Sequence, residues 1–103
     1  MTKTIKVYGL PNGTEPVMEW LASLADLYRD RIEARINRIR QGNYGDYKRF
    51  QGIIEIRMDF GKGYRLYCAE DGKVIVLLLV GGDKSSQDKD IQKALAYWRD
   101  YNE

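Results

Sequence analysis

Seven consecutive apolar residues, Val74 to Val80, lie between Asp71-Gly72 and Gly81-Gly82. A run of this kind is far short of a membrane span, which takes about 20 residues. It has the length of a single strand, and a strand with no polar position has no face to offer water. The run therefore predicts a central strand covered on much of both faces. Asp71-Gly72 is a two-residue hairpin signal, because its central positions favour positive φ. The cluster Gly81-Gly82-Asp83-Lys84-Ser85-Ser86 closes the strand at the other end.

The neighbouring segments supply partners for it. Ile54, Ile56, Met58 and Phe60 alternate with Glu55, Arg57 and Asp59; after Gly61-Lys62-Gly63, Tyr64, Leu66 and Cys68 alternate with Arg65 and Tyr67. Period-two alternation is the mark of a strand with two distinct faces, so an antiparallel meander is expected. Tyr47 to Phe50 fits a short edge strand, and Ile5 and Val7 define a first strand. Thr14 is expected to cap a helix with Pro16 in its first turn, where proline is tolerated, and with Val17, Leu21, Leu24 and Tyr28 on one face. A break at Ala25-Asp26 places Asp26 as the cap of a second helix, in which Ile32, Ile36 and Ile39 recur until Gly42 stops it. Ser85 or Ser86 is expected to cap a last helix with Ile91, Ala94, Leu95 and Trp98 as its buried stripe. The order β-αα-βββ-α, with the optional edge strand ahead of the meander, describes one α+β domain over residues 1–103. Its expected form is two-layered, with two N-terminal helices and a C-terminal helix on one face of a mainly antiparallel sheet and the other face open.

Composition removes several kinds of chemistry. With 44% hydrophobic and 31% charged residues the chain has an ordinary globular balance. It has no histidine and one cysteine, so neither a Ser-His-Asp nor a Cys-His arrangement exists and no intramolecular disulfide forms. Cys68 reads as a small buried hydrophobe, and neither a metal nor another cofactor is expected. Met1-Thr-Lys-Thr-Ile lacks the apolar region of a signal peptide, so the expected location is cytoplasmic, with no membrane partner. Net charge is only +2, but residues 29–65 hold ten Lys/Arg against five Asp/Glu. Within that basic middle, Arg29, Arg31, Arg35, Arg38 and Arg40 interleave with the helical isoleucines. They read either as a solvated face or as a surface that tracks phosphates.

If the turn at Gly61–Gly63 takes three residues, Asp59 faces Arg65 and Arg57 faces Tyr67 across the hairpin. The open face then carries Glu55, Arg57, Asp59, Arg65 and Tyr67. One reading is an exposed Asp59–Arg65 ion pair, which contributes about 0–1 kcal/mol. The other is that Arg57 and Arg65, with Lys84 from the end of the sheet, converge on a phosphate, whose oxygens suit the planar guanidinium fork. Tyr67 or Tyr64 would then stack on a base.

The segment Glu55-Ile-Arg-Met-Asp-Phe-Gly-Lys-Gly-Tyr-Arg-Leu-Tyr, followed by Val76-Leu-Leu-Leu-Val-Gly-Gly-Asp-Lys-Ser-Ser-Gln-Asp-Lys-Asp-Ile, resembles the RelE/ParE toxin superfamily. The likeness is greatest to its HigB-like, phage-derived addiction-module killer branch, and it extends over nearly the whole chain. The resemblance implies a RelE-like fold and the toxin of a type II toxin–antitoxin pair. Many such toxins are ribosome-dependent, metal-independent mRNA endoribonucleases that inhibit translation, and members of the ParE branch instead poison DNA gyrase. A non-catalytic RNA- or partner-binding domain is a further alternative on the same fold. The implied partners are the ribosome, mRNA and a cognate antitoxin, a helix-turn-helix protein from the adjacent gene. By position, Arg65 corresponds to the phosphate-clamping arginine, Arg57 to a basic residue on the preceding strand, and Lys84 to a cation after the last strand. Arg35, Arg38, Lys48, Arg49 and Tyr67 are then expected to dock RNA or the ribosome, and Glu55 or Asp59 to act as general base. Glu55 stands where ribonuclease members carry a lysine.

Overall fold

The computed structural model describes residues 1–103. In chain order the elements are β1 (Thr4–Val7), α1 (Pro16–Ala22), α2 (Asp26–Arg40), β2 (Tyr47–Phe50), β3 (Ile53–Arg57), β4 (Arg65–Asp71), β5 (Ile75–Gly82) and α3 (Gln87–Tyr101), with a single 3₁₀ turn at Lys84–Ser86 before α3. The apolar run is β5, shifted toward its C-terminal end. Val74 stays in the hairpin loop, which takes three residues rather than two, while the backbones of Gly81 and Gly82 pair with Leu66 and Arg65.

The sheet is five-stranded and mixed, in the order β1-β5-β4-β3-β2. β1 runs parallel to β5, and every other pairing is antiparallel. β2 is the expected edge strand. Alternation along β5 sends Val76 and Leu78 to one face and Leu77 and Leu79 to the other. On the first face α1 and α2 lay Val17, Leu21, Ile32, Ile36 and Ile39 over Ile54, Ile56, Leu66 and Cys68. On the second, α3 lays Ala94, with Ile91, Leu95 and Trp98, over Ile53, Tyr67, Ala69, Leu77 and Leu79.

The architecture is thus three-layered, and the expectation of two layers with an open face is corrected. The reason is energetic. Burying each of Ile53, Leu77 and Leu79 stabilises by about 1.5–3 kcal/mol, whereas exposed ion pairs on the same face would contribute about 0–1 kcal/mol each. β5, with apolar residues on both faces, requires both covers. No helix is long and apolar enough to cross a membrane.

The helix ends differ from expectation in detail. Thr14 does not cap α1: its carbonyl accepts from Leu10 N at 2.7 Å and its N–H donates to Asn12 Oδ1, so Glu15 takes the cap position and Pro16 begins the helix. Asp26 is the first residue of α2 rather than its cap, and its carboxylate pairs with Arg29 one turn on, near the positive end of the helix dipole. Gly42, with φ of 89°, follows the C-cap Gln41 as expected. Cys68 is buried, which pushes its thiol pKa up to about 12.

A candidate anion-binding site at the end of the sheet

The β3–β4 connection sets the geometry. Ladder pairing holds Arg57 opposite Arg65 and Glu55 opposite Tyr67. Met58 N still donates to Tyr64 O at 2.9 Å, so the loop takes residues 59–63 rather than three. Gly61 and Gly63 absorb the bend with φ of 59° and 72°. Phe60 turns away from the strand to stack on Tyr28, with rings 6.3 Å apart and 5° from parallel, under the Arg31 guanidinium. The expected Asp59–Arg65 and Arg57–Tyr67 pairs are therefore wrong by two residues. The longer loop brings two arginines face to face.

Between them lies Glu55. Its side chain is 3% exposed, while Arg65 is 14% and Arg57 40% exposed. Glu55 Oε2 accepts hydrogen bonds from Tyr67 Oη and from Gln87 Nε2, each at 2.9 Å. Arg65 Nε approaches the same oxygen at 3.8 Å and Arg57 Nε approaches Oε1 at 4.0 Å. Both Nε atoms are buried without a hydrogen-bond acceptor. Arg65 Nη1 donates to Gly63 O at 2.7 Å, and Arg57 Nη2 lies 3.5 Å from Asp46 Oδ1. Burial, reinforced by its hydrogen bond to Glu55, raises the pKa of Tyr67 well above the usual phenol value.

Lys84 reaches the same corner. A side chain placed on Gly63 would meet Lys84 Cβ and Arg65 Nη1, each at 3.4 Å, and Lys84 N donates to Lys62 O. Lys84 is exposed. A second carboxylate, Asp90, is 6% exposed and accepts from Ser86 Oγ at 2.6 Å. It packs on the backbone of Gly82, the strand partner of Arg65, so closely that a methyl group there would lie 1.8 Å from Asp90 Oδ2. The corner thus combines Arg57, Arg65 and Lys84 with two buried carboxylates. No three His, Cys, Asp or Glu side chains come together as metal ligands.

Other expected site residues are placed differently. Tyr67 is fully buried and Tyr64 is 5% exposed in the opposite core, so neither stacks on a base. Glu55 is enclosed, and its carboxylate is committed to the network rather than open to act as a base. Asp59 is exposed and, with its loop neighbour Phe60, lines a groove of about 300 Å³ against Arg31, Ala34, Arg35 and Arg38 of α2. Arg35 is a structural clamp: Nη1 donates to Arg57 O, and Nη2 to Tyr44 O and Asp46 O, each at 3.1 Å. Its burial lowers its pKa. Arg49 is committed to Glu70 at 2.7 Å, an attachment that holds the Glu70 carboxyl below its ordinary value. Arg38 and Lys48 remain exposed, Lys48 directly across the ladder from Glu55.

Gln87, Ser86 and Asp90 were not anticipated as members of the corner. Gln87 falls at helical spacing ahead of Ile91, Ala94 and Trp98, and Asp90 four residues ahead of Ala94. Polar residues on the extension of an apolar stripe point at the sheet, which is the signal that identifies them.

No model of a known family matches the chain, and no solved structure matches it. An uncharacterised protein of Haemophilus influenzae is 51% identical over 77 residues, which cover 73% of this chain and 78% of that protein.

Proposed function

The chain belongs to the same family as that Haemophilus influenzae protein, and we propose that it is the toxin of a type II toxin–antitoxin pair: a ribosome-dependent, metal-independent mRNA endoribonuclease on a RelE-like fold. The order of elements around the mixed sheet supports the fold. The observation that carries the activity is the placement of Arg57 opposite Arg65 on adjacent strands, with Lys84 at the same turn.

In this proposal a ribose 2′-oxygen attacks the adjacent phosphorus and the bond to the 5′-oxygen breaks, leaving a 2′,3′-cyclic phosphate and a 5′-hydroxyl. The five-coordinate phosphorus carries more negative charge than the substrate. Cations fixed before the reaction therefore stabilise it more than the ground state, which is what accelerates the step. Arg57 and Arg65 hold the equatorial oxygens, and Lys84 faces the leaving oxygen and offers it a proton. Glu55 is enclosed and Asp59 belongs to the loop beside α2, so the 2′-hydroxyl proton passes to solvent. The ribosome orients the mRNA, a contribution that is large whenever two reacting groups must be aligned. Arg38 and Lys48 supply docking charge. A helix-turn-helix antitoxin from the adjacent gene neutralises the toxin.

Arg65→Ala is expected to lower transcript cleavage by about 10²–10³-fold, the usual effect of losing one donor at a developing oxyanion, and to restore growth while the circular dichroism spectrum stays unchanged. Arg57→Ala should act in the same direction. If both variants inhibit growth as strongly as the parent, the assignment fails. The enclosed Glu55, which offsets one positive charge, favours a second reading: a gyrase-binding inhibitor without nuclease activity. Induced expression would then give an SOS response with transcripts intact.

A further inference from the structure

We infer that Glu55 is a positioning residue and internal counter-anion for the Arg57–Arg65 pair, and that its charge keeps the phosphate affinity of that pair low. The inference rests on the proposed anion-binding role of the two arginines and concerns what this chain adds to it.

Two guanidinium groups directly opposite each other on adjacent strands repel. A carboxylate with only 3% of its side chain exposed is uncommon unless it is paired. Each problem answers the other here. Glu55 is within 4.0 Å of both Nε atoms, on the buried side of each guanidinium. Those distances exceed a hydrogen bond, and both Nε atoms lack an acceptor, so the attraction acts through space rather than through a shared proton. The buried edges of the two groups are thereby drawn toward Glu55. Arg57, 40% exposed, keeps its outer edge toward solvent, where Nη2 lies 3.5 Å from the exposed Asp46 carboxylate. A phosphate arriving at that edge competes with Glu55 for the same two charges. It meets a field weaker than two free arginines would give.

The hydrogen bonds make this separable from a merely structural role. Tyr67 and Gln87 both donate to the single oxygen Oε2. Glu55→Gln, with its carbonyl oxygen in that place, keeps both bonds and nearly the same volume. It removes the charge and puts an amide NH2 in the place of Oε1, 4.0 Å from Arg57 Nε, where no hydrogen bond is lost.

The probe is a single-stranded 2′-deoxy oligonucleotide, which binds phosphate sites but offers no 2′-hydroxyl for cleavage, titrated by fluorescence anisotropy at low salt. Glu55→Gln is expected to bind about tenfold more tightly than the parent, the scale of one partly screened charge. The gain should disappear when Glu55→Gln is combined with Arg65→Ala or with Arg57→Ala. A solely structural Glu55 predicts equal or weaker binding by Glu55→Gln, and that result overturns the inference. So do a gain that persists without either arginine and the absence of measurable binding by parent and variant alike. Should Glu55→Gln not fold, Glu55→Met, of similar length and uncharged, is measured in its place with the same expected gain. Growth inhibition plays no part in the readout. A non-toxic chain still shows the gain, and a toxic nuclease without the gain refutes this inference and leaves the proposed activity standing.

Discussion

Replacing Gly81 by alanine would put a methyl group into the Trp20 ring. The added carbon would lie 2.1 Å from Trp20 Cε3 and 2.4 Å from two more ring atoms. Gly81 has no left-handed backbone angle, so the cost comes from contact and not from conformation. The ring has little room to retreat. Trp20 sits on the seven-residue α1 and meets Tyr64 edge-on at 6.1 Å, while Val17 and Leu21 of the same helix are packed in the core. Overfilling of this kind costs about 1–3 kcal/mol, and loss of the Trp20–Tyr64 contact adds about 0.5–1.5 kcal/mol. For a domain of this size, a loss of about 2 kcal/mol lowers Tm by at least about 8 °C. Urea unfolding followed by circular dichroism measures the loss. The decisive variant is Gly81→Ala combined with Trp20→Ala, in which the methyl group occupies space the ring has left. Its stability should exceed the sum of the two single changes by about 1 kcal/mol or more, the coupling expected of residues in contact. Gly81→Ala within about 0.5 kcal/mol of the parent, or strict additivity of the pair, would refute the claim that this glycine exists to admit Trp20.

Two more outcomes follow from the buried tyrosines. Burial and a carboxylate partner raise the pKa of Tyr44 and Tyr67, and burial with Asp100 raises that of Tyr8 to about 12. Because the folded chain holds these protons to higher pH than the unfolded chain, the associated stability is whole below about pH 10 and declines as pH rises beyond it. Tyrosinate absorbance should show these three and Tyr64, whose pKa burial also raises, ionising late, four of the eight tyrosines, together with unfolding; early ionisation of all eight in a folded protein contradicts the assignment. Tyr67→Phe should cost about 1–3 kcal/mol in urea unfolding, because the enclosed Glu55 loses one of its two neutral donors. Unchanged stability would mean that the hydroxyl is dispensable to the network.

The three cations of the corner were named from the chain alone, but their relations, and the places of Gln87, Ser86 and Asp90 beside them, were not. Arg57, Arg65 and Lys84 stand out because alternation puts the first two on one face and the end of an apolar strand delivers the third. Their pairing depended on the loop between them. A three-residue and a five-residue loop both fit Gly61-Lys62-Gly63 and its neighbours. What favours the longer one is Phe60, which leaves the strand to join Tyr28 and Arg31 of α2, some thirty residues earlier in the chain. No local pattern contains that contact.

Side-chain periodicity settles which residues share a face, and in this chain it marked β1, β3, β4 and the stripes of α2 and α3, while the unbroken apolar run marked β5; the stripe expected over Val17, Leu21, Leu24 and Tyr28 is divided between α1 and α2, with Leu24 in the turn that joins them. Periodicity is a property of one segment. It says nothing of what lies across from that segment, and so it left open where α3 would lie. The last helix went to the face that had been expected to stay open, because Ile53, Tyr67, Leu77 and Leu79 had no other way to leave water. That one placement turned Tyr67 from a stacking platform into a core residue, brought Gln87 onto Glu55, and made a carboxylate that reads as exposed into the enclosed partner of two arginines. Burial and register are sums over distant segments, and only the assembled layers evaluate them.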